Sequence, residues 1–130
     1  MSTRIHTIRI VGDRQTGKTE AALSYASTLI ASGVGVAYYT EQPTMLRVLL
    51  ERYAHNHLRP GQVLYRGNGN ERVRDESGGM LYFTTPRRGH SSYRGSLVQT
   101  VILDDVAGSW DDATIQYRHP HVTHVVRTVL

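Results

Sequence analysis

The segment Val11-Gly12-Asp13-Arg14-Gln15-Thr16-Gly17-Lys18-Thr19 constrains this chain more than any other. Its spacing, a glycine, four residues, then Gly-Lys-Thr, is that of a phosphate-binding loop. Gly12 and Gly17 let the backbone turn tightly and bring N–H groups up to phosphate oxygens, and a helix opening near Lys18 adds the positive end of its dipole. In such a loop Lys18 reaches the β- and γ-phosphates and the Thr19 hydroxyl serves Mg2+. The context is the required one. Ile5, Ile8, Ile10 and Val11 precede the loop as a β-branched run, and Glu20-Ala21-Ala22-Leu23 follow as helix formers. The expected nucleotide-binding residues are therefore Gly12, Asp13, Arg14, Gln15, Thr16, Gly17, Lys18 and Thr19.

Of the 15 lysine and arginine residues only Lys18 is a lysine. A composition otherwise given over to arginine keeps a compact ammonium at the one position where a planar fork would not suit the geometry. The 130 residues suffice for one domain with a real core, expected to span 1–130. A hydrophobic fraction of 39% and a charged fraction of 20% are those of a soluble globular protein. The net charge of +4 permits a polyanionic partner, and nucleotides are themselves anions. With no cysteine, disulfide and thiolate chemistry are excluded. There is neither an apolar leader nor a run approaching about 18 apolar residues, so a cytoplasmic protein with no membrane partner is expected.

Along the chain, Arg4 to Val11 reads as the first strand. The helix after the loop is expected from Lys18 to Ser32, its stripe Ala22, Leu23, Ala26, Leu29 and Ile30, with Gly33 as its stop. Residues 35–40 read as a buried second strand. Pro43 opens a second helix carrying Met45, Leu46, Leu49, Leu50, Tyr53 and Ala54 at helical spacing and ending by Leu58. A short strand is expected at 62–65, then a turn at Gly67-Asn68-Gly69-Asn70. Arg66, Arg72 and Arg74 among Glu71, Asp75 and Glu76 read as a solvated, mixed-charge loop. Strands follow at 80–84 and at 121–129. Alternation of strands and helices indicates an α/β fold.

Val101-Ile102-Leu103-Asp104-Asp105 is the second informative stretch. An apolar strand ending in two acids is costly unless a cation compensates them, and the Mg2+ held by Thr19 would do so. Asp104 is then the Walker B metal aspartate, acting through water, and Asp105 stands where a carboxylate orients the attacking water.

Taken together the chain resembles the ATPase core of phage terminase large subunits, the motors that package DNA into capsids. The resemblance covers residues 5 to 118. Its parts are Arg14 to Thr19, the turn Glu41-Gln42-Pro43-Thr44, a glycine-preceded strand at Gly79 to Thr84, the Arg-Gly loop Tyr93-Arg94-Gly95-Ser96, and Val101 to Asp105. It implies a parallel-sheet P-loop core with helices on both faces and an additional strand between the Walker A and Walker B strands. It also implies ATP and Mg2+ as cofactors, with double-stranded DNA, further copies of the chain or a larger motor or virion assembly as candidate partners. Two departures qualify it. The family carries a catalytic glutamate where this chain has Asp105, one methylene shorter, so hydrolysis is expected to be slow. Ending at Leu130, the sequence leaves no room for the family's nuclease domain, so a minimal or truncated core is expected. The alternative is a non-hydrolysing nucleotide-binding module that regulates a partner.

The loop Pro86-Arg87-Arg88-Gly89-His90-Ser91-Ser92-Tyr93-Arg94 leads into the Walker B strand. An arginine here, with Arg94 the candidate, can act as a finger on the transferring phosphoryl group. Equally, Arg87, Arg88, Tyr93 and Arg94 can contact and stack on nucleic acid. His119, His121 and His124 cluster in sequence, but on a strand His124 would face away from the other two, which argues against a three-ligand metal site. Ser109 reads as a helix N-cap, with Asp111 and Asp112 complementing the dipole of the first turn.

Overall fold

The computed structural model describes residues 5–12, 15–67, 70–86, 97–104, 106 and 110–129, with Gln15 and Thr16 described through their backbone only. Ten elements follow in order: β1 (His6–Val11), α1 (Gln15–Ala31), β2 (Gly35–Thr40), α2 (Met45–Asn56), β3 (Gln62–Gly67), β4 (Asn70–Asp75), β5 (Met80–Thr84), β6 (Thr100–Asp104), α3 (Asp112–Arg118) and β7 (His124–Val129).

The strands form one sheet in the order β1-β7-β6-β2-β5-β4-β3. Neighbours from β1 through to β5 pair in parallel, whereas β4 is antiparallel to both β5 and β3. Only β4 therefore runs against the rest, so the parallel-sheet core that was expected is present within a mostly parallel, mixed sheet. As expected, a strand, β7, separates β1, which leads into Gly12, from β6, which ends at Asp104.

The sheet has two buried faces. Side chains alternate across a strand, so β2 sends Val36 and Tyr38 to one side and Ala37 and Tyr39 to the other. On the first side α1 and α2 lay Ala22, Leu23, Ala26, Ile30, Leu46, Leu49, Leu50 and Tyr53 against Val36, Tyr38, Leu81, Phe83, Ile102 and Val126. On the second, Ile115 of α3 closes over Ala37, Tyr39, Val101, Leu103 and Val125, joined by Val98 and Val122. Removing each of these valine, leucine and isoleucine side chains from water contributes about 1.5–3 kcal/mol. Every residue of β2 and β6 is buried, which is why the two strands read as unbroken apolar runs.

Helix α1 begins at Gln15, three residues before the expected start, and ends in a Schellman motif. Gly33, at φ +86°, donates its N–H to the Ile30 carbonyl at 3.0 Å, and the Val34 N–H reaches the Leu29 carbonyl at 3.1 Å. The helices are cross-tied through Glu20, whose carboxylate meets Arg52 at 3.0 Å, Asn56 at 2.8 Å and His57 at 3.2 Å.

The stretch expected to be a solvated loop is strand β4, hydrogen-bonded on both sides and burying Glu71, Val73 and Asp75 on its inner face. Acids at two of three inward positions disguised the alternation. Asp75 is satisfied by the Ser77 N–H at 2.8 Å and the Gln62 amide at 3.0 Å, and the Ser77 bonds hold its carboxyl below the usual range. The cap of α3 also differs from expectation. It is Asp111, accepting from the Thr114 N–H at 2.9 Å, two residues beyond Ser109, which lies outside the described residues. β7 starts at His124 rather than at position 121.

Candidate nucleotide and cation site

The sheet order brings the two informative stretches to one edge of the molecule. β1 delivers Gly12 at its carboxyl end, where the Gly12 N–H bonds the Val129 carbonyl at 3.3 Å, and α1 carries Lys18 and Thr19 back over the sheet. Lys18 and Thr19 are each only 4% exposed. A Cβ built on Gly12 would come within 3.3 Å of Lys18 Cγ, so the lysine stem lies directly over the loop's first glycine.

Asp104 closes β6 and is likewise 4% exposed. A carboxylate so placed requires donors. Thr19 Oγ1 donates to Asp104 Oδ2 at 2.9 Å, joining residues 85 positions apart. Tyr38 Oη donates to the same oxygen at 2.6 Å, and Thr128 Oγ1 donates to Oδ1 at 3.0 Å. Register explains the convergence. Ile102 lies between Tyr38 on β2 and Val126 on β7, so Asp104, two residues further along the same face, meets the upward-reaching Tyr38 ring and Thr128. Burial pushes the Tyr38 phenol well above its ordinary range, and the Asp104 carboxylate adds to that, so the phenol keeps its proton and acts as donor.

Thr19 and Asp104, named as metal residues from sequence, are thus in direct contact, with Lys18 and Gly12 beside them. A hydroxyl and a carboxylate are hard oxygen donors, the chemistry Mg2+ takes. Gly17 begins no close contact, since a Cβ there would meet nothing within 4 Å. Gln15 and Thr16 lie in the first turn of α1. Asp13, Arg14, Arg94 and Asp105 fall outside the described residues, as does most of the basic loop. Its first residue, Pro86, is held where Arg118 Nη1 donates to its carbonyl at 2.9 Å.

Tyr38 and Thr128 were not singled out in the sequence. A tyrosine in a wholly apolar strand carries a hydroxyl that must find a partner, and that was the available signal. For Thr128 no motif existed. The histidines separate: His119 caps α3 and shares a 2.7 Å hydrogen bond with Tyr39 Oη, whereas His124 stacks on His6 with ring centres 5.2 Å apart. On that second face Trp110 packs against Tyr39 at 4.7 Å and under the Arg118 guanidinium at 4.8 Å.

No protein-family model and no curated protein matches the chain. Solved structures do. The large terminase ATPase domain of Thermus phage P74-26 superposes with a TM-score of 0.61 at 18% identity, covering 98% of this chain. An arginine-to-alanine mutant of that domain gives the same values. The fold is that of a phage large terminase ATPase domain. The chain spans 60% of the length of those terminase structures. Among the described residues, no helix is long and apolar enough to cross a membrane.

Proposed function

We propose that this chain binds ATP with Mg2+ and hydrolyses it slowly, as the nucleotide-handling core of a DNA-packaging type of motor. The observation that carries the proposal is the 2.9 Å hydrogen bond from Thr19 Oγ1 to Asp104 Oδ2. It joins the loop of the sequence Gly12 to Thr19 with the acid of a distant strand, and each type of residue alone has other uses.

In this function the backbone of Asp13 to Lys18 cradles the phosphates and the Lys18 ammonium neutralises charge developing on the transferred group. Thr19 and Asp104 would hold the cation. When bound, Mg2+ supplies charge neutralisation on the phosphate oxygens. Asp105 orients water for in-line attack, and Arg94, in cis or from a neighbouring copy, serves as the finger. Double-stranded DNA and further copies of the chain are the proposed partners, by analogy of fold with the terminase domain.

Phosphate release from ATP with Mg2+, with and without double-stranded DNA, tests this when wild type and Lys18→Ala are compared alongside nucleotide binding. DNA-stimulated turnover lost in Lys18→Ala is the expected result. Binding that depends on Lys18, without turnover under any condition, would favour the second reading, a nucleotide-sensing module. The residue favouring that alternative is Asp105, shorter than the glutamate the chemistry prefers.

A further inference from the structure

Asp104 meets its surroundings through an unusual division of labour between its two oxygens. Oδ2 accepts both the Tyr38 phenol at 2.6 Å and the Thr19 hydroxyl at 2.9 Å, and Oδ1 accepts the Thr128 hydroxyl at 3.0 Å. A carboxylate oxygen offers about two lone pairs, so the two donors occupy Oδ2. Three donors from three elements, α1, β2 and β7, also fix the plane of the carboxylate. Thr19 can lend an oxygen lone pair to a cation while its proton stays on Oδ2. Tyr38 is wholly buried in the core cluster that includes the α1 side chains, its ring 5.4 Å from that of Phe83, and its hydroxyl proton is committed to Oδ2.

We infer that Tyr38 determines which divalent cation the site accepts, by holding Asp104 Oδ2 away from direct ligation. With that oxygen occupied and the carboxylate unable to turn, Oδ2 meets a cation beside Thr19 only through one of the cation's own waters. Mg2+ dehydrates reluctantly and keeps several waters, whereas Ca2+ takes six to eight oxygens and readily uses carboxylates directly. A clamped carboxylate therefore favours Mg2+. Tyr38 is a positioning residue that selects the metal through Asp104. The inference rests on the nucleotide and cation site proposed above.

The test measures ATP affinity of wild type and Tyr38→Phe in Mg2+, in Mn2+, in Ca2+ and in EDTA, with Lys18→Ala as a control. In Tyr38→Phe the ratio of affinity in Ca2+ to affinity in Mg2+ is expected to rise about five-fold or more, with the EDTA value unchanged. An unchanged ratio, or an equal loss in all four conditions, would make Tyr38 a packing residue and overturn the inference while leaving the nucleotide site intact. Wild-type binding that ignores both the metal and Lys18→Ala would overturn the nucleotide site and this inference with it. A second measurement needs no variant. In the wild-type Mn2+–ATP complex, electron–nuclear double resonance on protein carrying 13C-carboxyl aspartate should show no strong carbon coupling. A strong coupling lost in Asp104→Asn would mean direct ligation and refute the proposal.

Discussion

Gly79 sits so close to Ile30 that a Cβ built on it would lie 2.1 Å from the Ile30 carbonyl oxygen. This is the contact at which the end of α1 rests on the start of β5, reinforced by Ser77 Oγ donating to the same carbonyl at 2.8 Å. Neither backbone can retreat without moving a helix or a central strand. Gly79→Ala should therefore lower stability by about 1–3 kcal/mol or more, the range for overpacking. Urea denaturation of the two proteins checks this, and equal midpoints and slopes would disprove it.

Because Lys18 is the sole lysine, amine chemistry reads the loop directly. An amine-reactive reagent should modify the N-terminus and, slowly, Lys18, which is 4% exposed. Saturating ATP with Mg2+ should protect Lys18 and leave the N-terminus unaffected, as mass spectrometry of digested protein would reveal. Equal labelling of Lys18 with and without nucleotide would count against a phosphate contact.

The Glu51 carboxylate on α2 accepts from Arg66 of β3 at 2.7 Å and 3.2 Å and from Arg47 at 3.1 Å. These bonds, Arg66 first, lower its pKa from 4.5 to about 2. A depressed carboxylate contributes stability above its unfolded pKa, and the contribution disappears as pH falls from 4.5 through about 2. The gap in melting temperature between wild type and Glu51→Gln should thus be widest near neutrality, close by about pH 2 and shrink with added salt, since the group is half-exposed. A gap that ignores pH would show that the pair contributes only by packing.

On the role proposed for Asp105, Asp105→Glu should raise the turnover number several-fold while nucleotide affinity changes little, because glutamate is one methylene longer; about 1.4 kcal/mol of barrier corresponds to ten-fold. Single-turnover phosphate release separates this from an effect on product release. A fall in turnover would mean that the site is built around the shorter acid.

What could be read in the sequence was whatever a local rule governs. The loop from Gly12 to Thr19 has fixed spacing, β2 and β6 are apolar because both their faces are covered, and Gly33 stops α1 because only a left-handed residue fits there. Strand β4 was missed because its inward positions hold Glu71 and Asp75, whose burial depends on partners such as Gln62 and Ser77 that no pattern announces. The same holds at the site. Asp104 was legible from the run before it, but Tyr38 and Thr128 reach it only because β2 and β7 flank β6, and that order is set by tertiary pairing. Propensity carries no information about which strand becomes whose neighbour.

The position of β7 bears on how the molecule comes into being. Among the described strands β1 pairs with β7 alone, His6 opposite His124 and Val11 opposite Val129, so the strand that leads into Gly12 is fastened to the sheet by a strand made far later. Until β7 has left the ribosome, β1 lacks its neighbour among the described strands and Asp104 lacks the Thr128 hydroxyl. Closing so long a stretch of chain is entropically slow, and the sheet from β2 to β5 has time to form first. Completion of the sheet then waits on β7, and the proposed nucleotide binding, measured on nascent chains, would report whether β1 has docked.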